Sequence, residues 1–509
     1  MSEITPLTAG APGGLEHFDV LIVGAGISGI GAAHHLGEKC PGKRYAILES
    51  KESYGGTWRQ HTYPGIRSDS DLYTFGYGFK PWTGQPIASG DAILDYLGEA
   101  IDEDHIDRHI RYRHEVLSAS WSAEEQRWMV TARRTDSGDT VQFSCTFLWM
   151  CQGYYRHSEG YTPRWEGMED FKGPIVHPQT WPEDLDYRGK RVVVIGSGAT
   201  AATLIPNMAD DCEHITMLQR SPTYFWTGEN RNELADQLRE LEVPEEWVHE
   251  IVRRSILKLA KDIQYLSVSN PEVIKEELFN VIRSYLGEDF DMRHFTPSYR
   301  PWQQRLAYVP DGDLFEGIKS GKVSVVTDHI ERFAENGIIT KSGELLEADI
   351  IITATGFNLS VMGDIDFDVD GEAVDFSRTF TYRGIMNSGV PNMAFIFGYL
   401  RTSWTMRVDL VCDFVCKLLN HMDELQAESC TPTLRESDRD MAIYPWIDEE
   451  EFNPGYMQRG KDLMPKRGDN EPWTFSADYY TEREQLPLVN LDDDTLVYRG
   501  KARAVAAAR

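Results

Sequence analysis

The chain has 509 residues, 41% of them hydrophobic and 11% aromatic, which is enough for about two to four cored domains and excludes a single small binding module. It carries 51 Lys and Arg against 81 Asp and Glu, a formal charge of −30, which argues against nucleic acid and anionic membrane surfaces, since both are held by clustered basic side chains. Its seven cysteines are odd in number and lack CxxC spacing, so they describe neither a disulfide framework nor a structural zinc site; no basic leader precedes an apolar stretch, and no run of about 18 apolar residues occurs, so a soluble cytoplasmic protein without an integral membrane segment is expected.

The first fourteen residues, small, polar and containing Pro and Gly, read as a loose tail. Order is expected from about residue 15. DVLIVG, a short β-branched run, leads into GAGISG and then an Ala-rich helical stretch, and a second strand, YAILE, ends at Glu49. In such a strand, turn and helix, Gly24 allows the tight turn, Gly26 admits a pyrophosphate to the backbone, and Gly29 lets helix and strand pack closely. Glu49 lies 20 residues beyond Gly29 at a strand end, where it suits an unphosphorylated ribose 2′-hydroxyl, as in FAD or NAD.

Near residue 196 the pattern recurs as RVVVIG, GSGATA, a helix and the strand ITMLQR. Gly196, Ser197, Gly198, Ala199 and Thr200 form this second turn, with Ala201 in place of the third glycine. The following strand ends in Gln219, Arg220 and Ser221, and a basic residue there suits the 2′-phosphate of NADPH; an arginine in a surface ion pair is the plainer alternative. The fold class is therefore α/β with two Rossmann-like dinucleotide-binding domains. An FAD domain over residues 15–155 and 341–509 is split around an NADPH domain over 156–340, which carries a Glu-, Lys- and Leu-rich helical insertion over about 228–295. A helix from Trp404 to Met422 follows, and the Pro-, Asp- and Trp-rich text after Thr431 reads as a segment wrapping the surface. Cys412 and Cys416, one helical turn apart there, read as core packing rather than a redox pair.

An acidic-partnered dinucleotide beside NADPH implies a flavoprotein reduced by nicotinamide. Without a cysteine pair to receive the electrons, dioxygen becomes the leading acceptor. Two longer motifs bear on this. Residues 171 to 182 read FKGPIVHPQTWP and residues 55 to 69 read GGTWRQHTYPGIRSD. They resemble the F-x-G-x-x-x-H-x-x-x-W-P and G-G-x-W-x(4)-Y-P-G-x(3)-D signatures of the class B flavin monooxygenases, specifically the Baeyer–Villiger monooxygenases, with Phe171, Gly173, His177 and Trp181 at the fixed positions of the first. WPEDLDY, LQRSPTY, PDGDLF and VVTDHI extend the likeness over nearly the whole chain and toward the ethionamide-oxidising subgroup.

That resemblance implies an oxidoreductase in which NADPH reduces FAD and dioxygen adds to give a C4a-peroxyflavin. One oxygen atom then passes to a small ketone, giving an ester or lactone, or to a sulfide, giving a sulfoxide. The alternatives are an N- or S-oxidising flavin monooxygenase without Baeyer–Villiger activity and, remotely, a non-catalytic nucleotide-binding scaffold. The resemblance places the active-site arginine at Arg305, in PWQQRLAYVP, and its acidic partner at Asp69, makes His177 a conformational residue rather than a general base, and brings Gly56, Trp58 and Tyr63 to the flavin, the two aromatics being equally readable as core of a long loop. A guanidinium over the flavin stabilises an anionic oxygen. The subgroup's usual Asp two residues before the arginine is Gln303 here, with Arg300 nearby, so the surroundings are more positive than the pattern. Trp404 and the helical insertion are expected to line the substrate pocket. No metal is expected, because His105, His109 and His114 are irregularly spaced with no second cluster to complete a tetrahedral set.

Overall fold

In the computed structural model, residues 15–500 are described; the expected tail over residues 1–14 lies outside them. The strand Glu16–Val23 runs parallel to Tyr45–Leu48 on one side and to Thr140–Met150 on the other, at the centre of a nine-stranded sheet. Val20, Leu21 and Ile22 are fully buried, as a parallel strand covered on both faces requires, each side chain contributing about 1.5–3 kcal/mol of burial. The chain returns to this sheet late, where Met393–Phe395 pairs in parallel with the end of Thr140–Met150, so the first unit is built from both ends of the sequence.

The second sheet has five parallel strands in the order Val323–Thr327, His214–Gln219, Arg191–Ile195, Ile350–Thr353 and Ile175–Val176. Its apolar runs VVVI and IIIT are buried throughout. Ile350–Thr353 belongs to this sheet, so the second unit ends beyond position 340 and the chain crosses back to the first unit only after it.

Two segments differ from expectation. The insertion forms the helices Glu233–Glu240, Glu245–Ser269 and Pro271–Leu286, but Val248 and Val252 are buried in the first unit's core. Arg253 donates from Nη1 to the carbonyls of Tyr73 at 2.9 Å and Gly76 at 3.0 Å, fastening the insertion across the two units. The text after Thr431 is more than a surface wrap, because it is anchored inward: Trp446, Phe452 and Met457 enter one apolar core of the first unit, and Trp473 the other, while Ser429–Pro432 pairs with Leu496–Arg499. Its aromatic residues lack periodicity because they come from loops and single turns.

The helix Thr405–Glu424 packs on Ile27–Lys39, close enough that a Cβ at Gly31 would stand 3.2 Å from Val408. Cys412 and Cys416 are buried in that contact, and all seven cysteines are free. His109 stacks on Tyr45 at 4.1 Å, and His114 Nδ1 donates to the Tyr112 carbonyl at 2.7 Å. No helix among the described residues is long and apolar enough to cross a membrane.

Candidate active site

Both glycine turns have the local geometry that a dinucleotide needs. Gly24 has φ +102°, and a Cβ there would lie 2.8 Å from the Cys151 carbonyl; a Cβ on Gly29 would lie 1.9 Å from the Gly24 carbonyl. Gly26 precedes the helix Ile27–Lys39 without a side-chain cap, which leaves the first N–H groups facing outward. Glu49 is buried beside this turn. Its Oε2 accepts from the Ala25 N–H at 2.8 Å and its Oε1 from the Lys51 N–H at 2.8 Å, so the carboxylate is fixed and keeps lone pairs for hydroxyl donors.

Gly56 sits against the same turn, with φ +53° and room for a Cβ only at 3.0 Å from the Gly26 Cα. Trp58 is half-buried, edge-on to Phe75 at 5.7 Å. Tyr63 goes elsewhere: it is buried in the second unit's core with Val192, Ala201 and Ile205. Burial raises its phenol well above the ordinary range, so it stays protonated.

In the second turn, Gly196 has φ +123° and its Cβ would strike the Ala354 carbonyl at 2.3 Å. Gly198 opens the helix Ala199–Met208 without a side-chain cap and has open space before it. Ser197 Oγ bonds the Thr223 hydroxyl at 3.0 Å and the Ser221 carbonyl at 3.3 Å, joining the turn to the residues after the next strand. Ala201 is fully buried where the first turn has Gly29. Arg220 is exposed and takes part in none of the ion pairs among the described residues, so its charge is available to an anionic ligand.

The two turns, the fixed Glu49 carboxylate and the unpaired Arg220 fit two dinucleotides of different ribose chemistry. The buried amide oxygen of Gln152, which has no hydrogen-bond partner, stands in the chain segment against Gly24 and marks a polar position at the same end of the sheet.

Between the units, Arg305 forms a bidentate pair with Asp69: Nε to Oδ2 at 3.0 Å and Nη2 to Oδ1 at 2.6 Å, with Nη2 also donating to Ser70 Oγ at 3.0 Å. Asp69 ends the second signature, and Arg305 precedes the strand Ala307–Pro310, which pairs with Phe225–Gly228. The Asp69 charge raises the Arg305 guanidinium above its ordinary range, so it is permanently cationic. About 43% of the Arg305 side chain remains open, against 16% of Asp69. Nη1 takes no part in these bonds, so its two N–H groups are available to an incoming anionic oxygen.

Gln303 and Arg300 do not compete for Asp69. Gln303 Nε2 donates to the Glu450 carbonyl at 3.5 Å, and Arg300 Nη2 donates to the same carbonyl at 3.2 Å. The replaced acid thus faces the late-chain loop.

The fingerprint residues hold the connection between units. Phe171 packs on Val193, Ile195 and Phe333, and a Cβ on Gly173 would lie 2.1 Å from the Asp349 carbonyl. His177 Nε2 donates to the Gly356 carbonyl at 3.0 Å, while Nδ1 accepts from the Gln179 N–H at 3.1 Å. That pair fixes one neutral tautomer, and burial lowers the imidazole's pKa, so neither nitrogen is poised as a base. Trp181 packs on the second unit's core, edge-on to Tyr187. Gln60 Nε2 donates to the Gln179 carbonyl at 3.1 Å and joins the two signatures.

Trp404 stacks on Tyr154 at 5.1 Å and donates from Nε1 to Ser28 Oγ at 2.8 Å, which places it against the first glycine turn. Tyr154, Tyr155 and Tyr456 were not singled out by the sequence reading. Tyr154 and Tyr155 come shortly after the strand Thr140–Met150, beyond Cys151, Gln152 and Gly153, and the carboxyl ends of parallel strands are where ligands bind in such sheets, a signal available in the sequence. Tyr456 carries no comparable signal.

Residues 87–364 match the flavin-binding monooxygenase-like family, and residues 22–90 match the NAD(P)-binding Rossmann-like domain. The chain is 48% identical over 485 residues to the FAD-containing monooxygenase EthA of Mycobacterium tuberculosis, covering 94% of this chain and 97% of that protein. It is 45% identical to the enzyme of the same name from Mycolicibacterium smegmatis, covering 97% and 99%. Among solved structures, an oxidized steroid monooxygenase bound to NADP superposes with a TM-score of 0.75 at 23% identity, covering 95% of this chain and 100% of that one. Cyclohexanone monooxygenase from Rhodococcus sp. Phi1 bound to NADP+ does so with a TM-score of 0.75 at 21% identity, covering 96% and 100%. At those identities the likeness is one of fold.

Proposed function

The chain belongs to the flavin-binding monooxygenase-like family, and from that premise we propose that it is an FAD- and NADPH-dependent Baeyer–Villiger monooxygenase. It transfers one atom of dioxygen to a small uncharged ketone, giving an ester or lactone, or to a sulfide, giving a sulfoxide; the other atom leaves as water. The observation that carries this reading is Asp69 of the first unit holding Arg305 of the second, between two dinucleotide-type turns.

FAD at the first turn supplies acceptance of hydride from NADPH and activation of dioxygen. Gly24, Gly26 and Gly29 admit its pyrophosphate, Gly56 backs the same loop, and Glu49 accepts from its ribose. Gly196, Ser197, Gly198, Ala199 and Thr200 receive the pyrophosphate of NADPH, and Arg220 and Ser221 face the 2′-phosphate. Arg305 offers the Nη1 donors to negative charge that develops on oxygen, and the bidentate bond to Asp69 keeps that donor set oriented without reorganisation during reaction. His177, pinned to Gly356 and Gln179, transmits movement between the units through the Gly356 connection. Trp404, against the first glycine turn, helps to exclude water.

The seven buried, free thiols fit a reducing compartment, and we place the protein in the cytoplasm. Purification tests the reading. A yellow protein that consumes NADPH faster in the presence of a ketone and yields the ester supports it; a colourless protein that binds nucleotide without turnover, or one that yields only N- or S-oxides, contradicts it.

A further inference from the structure

The helix Glu245–Ser269 turns toward solvent a face that the fold does not use. Its inward positions are taken: Val248 and Val252 lie in the first unit's core, and Ile263 and Leu266 pack beside Tyr224 and Phe279 of the second. Outward, Trp247, Ile251, Arg254, Lys258, Lys261 and Tyr265 recur at alternating steps of four and three residues, so they form one line along the helix, and all six are exposed. Trp247 is 62% open and Tyr265 72%, with Leu241, just before the helix, at 75%. Large apolar side chains in a row mark a contact surface rather than scattered exposure.

The charge on this face is divided along its length. Glu242, Glu245, Glu246 and Glu250 come first, then Arg254, Lys258 and Lys261, with Asp262 the single acid among the later helix residues. Glu245 pairs with Arg239, and Glu250 with Arg254. Glu242, Glu246, Lys258 and Lys261 take part in none of the ion pairs among the described residues, although Lys261 lies over the Tyr480 ring at 5.0 Å. Acids in the first turn complement the helix dipole, but that effect fades within a turn and the last turn holds no base, so the dipole does not account for Lys258 and Lys261. Two unpaired acids followed by two unpaired bases on one face are complementary to the same face turned end for end.

We propose that this face binds a second copy of the chain, helix against antiparallel helix, about a two-fold axis near Val252 and Arg253. At that register Glu246 stands opposite Lys258 of the other copy and Glu242 opposite its Lys261, each pair occurring twice, as a two-fold contact requires. Trp247 then lies on the Lys258 stem, and Tyr265 meets Leu241 of the other copy. A bilayer is the poorer occupant, because acids interrupt the bases and the whole chain carries −30. A helical strip of this length covers roughly 400 Å² on each copy, against about 800 Å² for a standard interface, so the dimer is a weak one that forms in the micromolar range. The inference does not depend on the monooxygenase reading.

The test is sedimentation velocity of the flavin-loaded full chain over a concentration series through the micromolar range, at low and at high salt. The chain is expected to pass from monomer to dimer, and less readily at high salt. Glu242→Lys with Glu246→Lys, and separately Lys258→Glu with Lys261→Glu, are each expected to raise the dimer Kd about tenfold or more, since like charges then face each other. Mixing these two variants is expected to restore association, because one copy presents only bases and the other only acids at those four positions. Trp247→Ala is expected to weaken the dimer without altering its salt dependence. Bound flavin reports that each variant is folded and loaded. A chain that stays monomeric throughout, a dimer that both charge variants leave unchanged, or variants that do not associate when mixed overturns the proposal. So does a monomer that instead sediments with phosphatidylcholine–phosphatidylglycerol vesicles through Trp247, which would assign the face to a lipid surface.

Discussion

Asp69 and Arg305, 236 residues apart, are joined by two nearly parallel hydrogen bonds that bridge the two nucleotide-binding units. A planar guanidinium matched to a planar carboxylate fixes orientation as well as charge, and a lysine in the same place would keep the charge while losing the orientation. The account of catalysis depends on that distinction.

Arg305→Ala is expected to retain reduction of the flavin by NADPH and to lose ester formation by roughly a hundredfold or more, the scale seen when a preorganised donor to developing negative charge is removed. Arg305→Lys should fall between. Stopped-flow reduction and product analysis on one preparation separate the two steps, and undiminished ester formation in the alanine variant rejects the role.

Arg220→Ala should weaken NADPH binding by about 1.5–3 kcal/mol, as for a hydrogen bond to a charged group, and barely alter NADH. The exposed, unpaired state of Arg220 is the basis. Titration with both coenzymes is the check, and equal weakening of both would move the phosphate contact elsewhere.

At Gly29 an added methyl would lie 1.9 Å from the Gly24 carbonyl, so Gly29→Ala must push the helix Ile27–Lys39 away from its strand. The expected result is loss of bound flavin together with a lower melting temperature. The corresponding change at the second turn is already present as Ala201, so Ala201→Gly should leave flavin content intact. Full flavin occupancy in Gly29→Ala, read from visible absorption, would show that the turn does not govern binding.

Stability should fall on acidification. Burial, with lesser repulsion from His157 and His177, lowers His61 to about 4, and burial together with Arg253 lowers His249 to about 4. A histidine with its folded pKa below the unfolded value of about 6.5 binds fewer protons when folded, so its contribution is complete above that pH and is lost down to the folded pKa, about 2 kcal/mol for each residue by about pH 5. Burial raises Asp71 to about 6, which acts in the opposite sense, stability falling as pH rises through that range. Two histidines against one aspartate leave a net loss toward acid. Denaturant unfolding from neutral pH downward measures it, and a midpoint that stays level or rises would contradict the assignment.

What the sequence revealed was local in origin. Gly24, Gly26, Gly29 and Glu49 lie within one strand, turn, helix and strand, and their spacing alone places them at one sheet end. Asp69 and Arg305 became a pair through resemblance, and their geometry depends on the packing of two units. The insertion read correctly as helix, because its apolar positions recur at helical spacing, but nothing local says that Val248 and Val252 face the first unit. Trp446 and Trp473 are buried from aperiodic loops, so composition suggested a surface wrap. Tyr63, inside a recognised signature, packs into the second unit's core because a long loop can turn its aromatic side chain toward either unit. The phenols escaped notice because Tyr456 reaches Tyr155 only after some 300 residues of intervening fold.

The central claim is that activated dioxygen is handed to an uncharged organic molecule between these two sites. Turnover of a ketone under isotopically heavy dioxygen, with NADPH consumption and product mass followed together, tests it most directly. The account predicts an ester carrying one heavy oxygen atom for each NADPH consumed; NADPH consumed with the formation of hydrogen peroxide alone, whatever ketone or sulfide is supplied, would contradict it.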